Sequence, residues 1–251
     1  MTFKKTSLLI LSLTLSFSTL AQSLKVAVAA NLQSVIKVLG ADFKSKTGIV
    51  VESIIGSSGN LVAQIKNGAP FDVFLSADMG FAEILFDDGF ATDKPAVYAT
   101  GTLIVCSTEN IDVKNWESLI LSSTVKKVAI ANTLTAPYGQ AAQQALTKLG
   151  LVSKISAKMV NAESITQVNT YIFNDVVSVG FTSQSFVHDL AQRKKLYWSK
   201  VDPKLYDPIE QGMVILKHAK DNTAVAADKF YKYLLSSSAK AIFKKYGYQT
   251  K

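Results

Sequence analysis

GSSGNLVAQIKNGAPFDVFLSAD, residues Gly56–Asp78, runs through a turn, a helix, a strand and a second turn. Gly56 and Gly59 bracket Ser57 and Ser58, and glycine permits both a tight turn and close approach of a bound group to the backbone. Leu61, Val62 and Ile65 then recur at helical spacing until Asn67 and Gly68. Phe71–Leu75 is a short, nearly continuous apolar run, the pattern of a strand covered on both faces. Ser76–Asp78 is polar and ends it. A doubly covered strand joined closely to a helix is the building unit of an α/β sheet.

The same unit repeats on both sides of this stretch. Upstream, Leu24–Ala29 reads as a strand and Asn31 follows it. Leu32, Val35, Ile36, Leu39 and Phe43 mark a helix that Gly48 ends, and Val50–Ile55 is the next strand. Downstream, Phe81, Ile84, Leu85 and Phe86 mark a third helix, closed by Gly89. Ala96–Ser107 reads as one or two strands. Beyond Trp116 the spacing predicts strands at Lys127–Ala131, Lys158–Val160 and Val176–Thr182, with helices at Tyr138–Leu149, Ser164–Phe173 and Phe186–Ala191. Leu205–Leu216 contains further strand candidates. Residues from about Asn222 to Tyr246 are helical, with Phe230, Leu234, Leu235, Ile242 and Phe243 toward the core.

This order predicts an α/β fold of parallel sheets joined by right-handed crossovers. Two lobes fit it: 22–100 together with 201–251, and 101–200. A single doubly wound domain fits the rhythm as well.

The first residues read differently. Lys4 and Lys5 precede an apolar run from Ser7 to Leu20, and Thr19 and Ala21 are small. That is the pattern of a signal peptide over 1–21, cleaved after Ala21, and it predicts export to the periplasm. The run is short for a membrane span, which takes about 20 residues. An uncleaved anchor is the alternative. No cysteine stands near the cleavage point to carry a lipid.

Composition is globular, with 48% hydrophobic and 18% charged residues. The net charge is +8, but Arg193 is the only arginine and the lysines are scattered, which argues against nucleic acid. Mild positive charge favours an anionic solute. The catalytic inventory is thin. His188 and His218 have no partner at metal-ligand spacing, so no free metal cation is expected. Cys106 is a lone residue in an apolar run. Asp87 and Asp88 read as solvated surface, and no nucleophile elbow or phosphate-loop lysine is present. An enzyme is not expected.

Binding needs less than catalysis. In open α/β folds ligands sit beyond the carboxyl ends of strands. Asn31, Ser57, Ser58 and Ser76 all fall at such ends. The first N–H groups of a helix lack internal acceptors and attract anions. Asn31 is either a plain helix cap or a ligand contact, and Ser57 and Ser58 share that ambiguity. In LTAPYG, Leu134–Gly139, Pro137 can start a helix and Tyr138 can either enter a cleft or pack over a lobe. Ile165 stands near a helix start and has only its main-chain N–H to offer, and Ser183 closes a strand.

With LKVAVAANL at Leu24–Leu32, the Gly56–Asp78 block and YKYLLSSSAKAIFKKYGY at Tyr231–Tyr248, the chain resembles the periplasmic molybdate-binding proteins of ABC-type importers. The resemblance implies a type II periplasmic-binding fold whose two lobes close over one molybdate or tungstate. It implies binding by neutral donors, no cofactor, an ABC-type membrane permease as partner, and a monomer. The implied contacts are Asn31 with Ala30 beside it, Ser58 in the next loop, Tyr138 in the second lobe and the Ile165 N–H. Some members carry a cleft tyrosine where this chain has Ser183; here Tyr138 takes its place and Ser183 is left peripheral. Sulfate, phosphate or another small anion in the same fold, or a sensory module using the same cleft, are the alternatives.

Overall fold

The apolar run Leu24–Ala29 falls in β1 (Ser23–Ala29), and the computed structural model describes residues 23–190 and 193–251. The predicted signal peptide, 1–21, with Lys4, Lys5 and the cleavage point, lies outside the described residues. A 3-10 turn, Ala30–Leu32, follows β1, and α1 (Val35–Thr47) starts only after it. Helix α1 buries Val35, Ile36, Leu39 and Phe43, a stripe at helical spacing. Gly48 ends α1 at φ +75°, where its N–H reaches the Lys44 carbonyl at 2.8 Å. Then come β2 (Val50–Gly56), α2 (Ser58–Lys66), β3 (Val73–Leu75) and α3 (Gly80–Asp87).

Ala96–Ser107 is two strands in two different sheets. β4 (Ala96–Gly101) and β5 (Leu103–Ser107) are separated by Thr102 alone. Then follow α4 (Trp116–Leu119), β6 (Val128–Ala131), α5 (Pro137–Lys148), α6 (Val152–Ile155), β7 (Met159–Ala162), α7 (Ile165–Phe173), β8 (Val179–Ser183) and α8 (Ser185–Leu190). The chain ends with β9 (Tyr197–Lys200), β10 (Ile209–Ile215), α9 (Asp221–Leu234) and α10 (Ser237–Lys245).

The first lobe is built on the sheet β2-β1-β3-β10-β4, and the second on β7-β6-β8-β5-β9. The chain passes between them at Thr102 and again between β9 and β10. The sheets are not purely parallel, as the rhythm had suggested. β10 runs antiparallel to β3 and β4, and β5 antiparallel to β8 and β9. Each of these reversals falls on the first strand after a crossing into its lobe.

Period-two alternation explains the layers. Val26, Val28, Val73 and Leu75 face α1, α9 and α10, while Ala27 and Phe74 face α2 and α3. Phe43 anchors the first of these faces, with its ring 5.1 Å from Phe230 and 5.2 Å from Tyr233. The second lobe packs α5 and α7 on its sheet through Ala141, Ala142, Ala145, Val168 and Ile172. Among the described residues no helix is long and apolar enough to cross a membrane.

Candidate functional site

Four strand-to-helix turns meet between the lobes. Ala30–Leu32 leaves β1, α2 leaves β2, α5 follows β6 and α7 follows β7. Ala30, Asn31, Ser57, Ser58, Tyr138 and Ile165 all line one small, nearly filled cavity of about 10 Å³. Ala29, Ala77, Ala136 and Pro137 complete its wall, so no lining residue is charged. A larger and more open groove, about 490 Å³, runs past Gln33, Lys37 and Arg193, but none of the sequence candidates borders it.

Local geometry decides several ambiguities. Ser57 is the residue before α2, yet its hydroxyl caps nothing; its Oγ is buried without a partner. Ser58 is fully buried, and its Oγ accepts the Ala77 N–H at 3.0 Å, which leaves its own O–H to donate. Gly59 donates its N–H to the Thr135 carbonyl across the lobes at 2.9 Å. A Cβ at position 59 would stand 2.9 Å from Thr135 Cα, so glycine is what lets the backbones approach. Asn60 to Glu163 (3.1 Å) and Thr166 to Gln33 (2.8 Å) are further side-chain hydrogen bonds between the lobes.

Asn31 is not the cap of α1, whose preceding residue is Ser34. It lies inside the 3-10 turn between β1 and α1. Its amide nitrogen donates to Gln211 Oε1 at 2.8 Å and to the Tyr248 hydroxyl at 2.9 Å. Both amide N–H bonds are thus in use, and Oδ1 is buried without a partner. Gln211 is itself fixed by donating to the carbonyls of Ala77 and Ile209.

Tyr138 occupies the second position of α5, behind Pro137, and is 1% exposed. Its hydroxyl is buried close to that of Tyr248. Burial pushes its pKa well above the usual phenol range, and the nearby phenols of Tyr248, Tyr98 and Tyr206 act in the same direction. Tyr138 therefore stays a neutral O–H donor. Ile165 begins α7 after Ser164, whose Oγ accepts the Gln167 N–H at 3.3 Å. That cap leaves the Ile165 N–H without an acceptor inside the helix. The arrangement therefore offers an anion neutral hydroxyls and N–H groups from the starts of α2, α5 and α7, where helix dipoles favour negative charge.

Ser76 and Ser183 lie outside the cavity lining. Ser76 builds a turn, bonding Asp78 through both its hydroxyl and the Asp78 N–H. Ser183 pairs with Ser185 at 2.7 Å. His188 stacks on Tyr246, and His218 meets Asp72 at 3.3 Å. Asp88 pairs with Lys66. Cys106 is fully buried, and burial pushes its thiol well up. Among the described residues no group of three or more His, Cys, Asp or Glu is placed to hold a metal ion.

The sequence profile of bacterial extracellular solute-binding proteins matches residues 24–249. The chain belongs to that family. The solute-binding protein is 36% identical over 229 residues to the molybdate-binding protein ModA of Azotobacter vinelandii, covering 91% of this chain and 90% of the relative. It is 36% identical over 225 residues to the protein of the same name from Rhodobacter capsulatus, covering 89% and 87%. The solved structure of the Azotobacter vinelandii periplasmic molybdate-binding protein superposes with a TM-score of 0.85 at 33% identity, over 91% of this chain and 99% of that one. The two-lobed type II periplasmic-binding fold is thereby shown for this solute-binding protein.

Three residues around its cavity escaped the sequence reading. Gln211 left a faint signal, a polar residue in an apolar strand run. Tyr248 and Ser185 left none, because both contact Asn31 from far along the chain.

Proposed function

We propose that this protein binds a tetrahedral oxyanion, molybdate or tungstate, between its lobes and hands it to the permease of an ABC-type importer. One observation carries the reading: uncharged hydroxyl donors and the starts of several helices border one small cavity closed by both lobes. A fully ionised oxyanion offers only acceptors, and every oxygen of it can meet a fixed donor here. Neutral donors also avoid burying a lysine or arginine, whose desolvation would offset much of the attraction. The contacts we assign are the hydroxyls of Ser57, Ser58 and Tyr138 and the main-chain N–H groups of Ala30, Asn31 and Ile165. Asn31 acts through its main chain, since its amide N–H bonds are engaged by Gln211 and Tyr248.

The likeness to molybdate-binding relatives supports this choice of anion. The basic residues and apolar run ahead of Gln22 support export to the periplasm, where such an importer collects its solute. Titration calorimetry of the purified protein with molybdate, tungstate, sulfate and phosphate tests the reading. Tight molybdate or tungstate binding with much weaker sulfate is expected. Equal affinity for sulfate would overturn the choice of anion, and no heat with any of the four would overturn the function.

A further inference from the structure

We propose that Ser183 and Ser185 of the second lobe are positioning residues that hold Asn31 of the first, so that anion affinity depends on a contact made outside the cavity. The inference rests on the cavity being the anion site.

The Asn31 carbonyl accepts two hydroxyls. Tyr248 reaches it at 2.9 Å from the first lobe, and Ser185 at 2.8 Å from the second. Ser183 Oγ and Ser185 Oγ are 2.7 Å apart. A hydroxyl has one proton to give. Ser185 directs its proton to Asn31, so in the serine pair Ser183 is the donor and Ser185 the acceptor. The relay therefore has a direction: Ser183 to Ser185 to the Asn31 carbonyl. All the atoms involved are buried, and neither serine borders the cavity.

The residue between the two serines locks the register. Gln184 donates its N–H to the Thr102 carbonyl at the crossing between lobes. Its side chain lies over Gly247, whose φ is +84° and where an added Cβ would come within 2.6 Å of the Gln184 side chain. Gly247 is flanked by Tyr246 and Tyr248, and Tyr246 stacks on His188 with ring centroids 4.1 Å apart. The turn Ser183–Ser185 is thus seated on the turn Tyr246–Tyr248, and both turns end on one carbonyl. Rotating the lobes apart takes Ser185 from Asn31 while Tyr248 stays. The peptide that carries the Asn31 carbonyl also carries the Leu32 N–H, so the contact acts on the turn that opens the cavity wall.

Ser185→Ala, Ser183→Ala and Ser185→Thr test this, titrated by calorimetry with whichever of molybdate, tungstate, sulfate and phosphate wild type binds best. The Leu32 amide nitrogen resonance reports on the Asn31 carbonyl directly. Ser185→Ala is expected to weaken binding about three- to tenfold, the effect of one lost buried hydrogen bond, and to shift the Leu32 resonance of the bound form. Ser183→Ala is expected to lose less, since Ser185 keeps its own donor, and Ser185→Thr to restore both readouts. Wild-type affinity and an unmoved Leu32 resonance in Ser185→Ala overturn the inference while leaving the proposed function standing. A wild type that prefers sulfate overturns only the choice of anion, and a wild type that binds none of the four overturns both.

Discussion

Replacing Gly101 with alanine adds one methyl group where β4 leaves the first lobe for the second. The new Cβ would stand 2.0 Å from the Tyr138 hydroxyl oxygen, 2.8 Å from its Cζ and 3.0 Å from Gln211 Nε2. Non-bonded carbon contacts are favourable only near about 3.5–4.0 Å. Gly101 ends a strand of the first lobe, whereas Tyr138 rides on α5 of the second. The heaviest part of the clash therefore exists only when the lobes meet. Overpacking of this kind costs about 1–3 kcal/mol. Charged to the closed form, that becomes about a 5- to 150-fold rise in Kd. The melting temperature without added anion should move far less, because separated lobes accept the methyl group. Tyr138→Phe removes the 2.0 Å contact but keeps the ring, so Gly101→Ala should cost less affinity in that background than in wild type. Calorimetry and thermal denaturation on the four proteins of this cycle check the reasoning. Binding by Gly101→Ala within twofold of wild type would refute it. So would a loss of unliganded stability as large as the loss of affinity, since the clash would then lie within a lobe.

Ser58→Ala and Tyr138→Phe should each weaken anion binding by about 1.5–3 kcal/mol, the worth of a hydrogen bond to a charged acceptor, and calorimetry reads it. Asp42 supplies a pH test of stability. Hydrogen bonds from Lys46, Ser238 and Tyr233 hold its carboxyl below 3.8 in the fold. A lowered folded pKa means stability that is present above the unfolded value and lost as pH falls through the folded one. Asp42→Asn should therefore lower the melting temperature at pH 7, by an amount equivalent to about 1 kcal/mol or less for a partly exposed group. The gap from wild type should close below pH 3.8. A gap that persists unchanged at low pH would show that the carboxylate's charge is not the cause.

The block from Gly56 to Asp78 was legible because its signals are local. Glycine brackets, helical spacing and a doubly covered strand all lie within one turn–helix–strand unit, and each sets a structure that tertiary contacts then keep. The same holds for Pro137 at the start of α5 and for Ser164 before α7. Strand direction was not legible. Ala96–Ser107 reads as one or two strands, with no sign of which sheet each joins, because hydrophobic pattern records burial, not the sheet in which a strand is buried. The reversed β10 was hidden for the same reason. Within the candidate site, residues at helix starts could be found from their place after strands. Gln211 and Tyr248 could not, since a contact with Asn31 across 180 or 217 residues leaves no periodicity. Asn31 shows the limit most clearly. A cap residue and a site residue look alike in sequence, and only the three-residue turn before α1 separates them.

The reversed strand β10 has a consequence for how the protein comes into being. In the first lobe, β3 pairs with β1 on one edge and with β10 on the other. The strands and helices from β5 to β9 all come between β3 and β10 in the chain. A polypeptide that emerges N-terminus first therefore holds three parallel strands with an open edge until Ile209–Ile215 arrives. The second lobe is continuous and needs nothing synthesised after β9 to complete its sheet. Low sequence separation favours early folding, and closing a long loop delays it. The second lobe should gain amide protection first, with the first lobe sealed last by its own C-terminal segment. Until that seal forms, the unpaired edge of β3 is the part of the chain most exposed to mispairing, and the part a holding chaperone would cover.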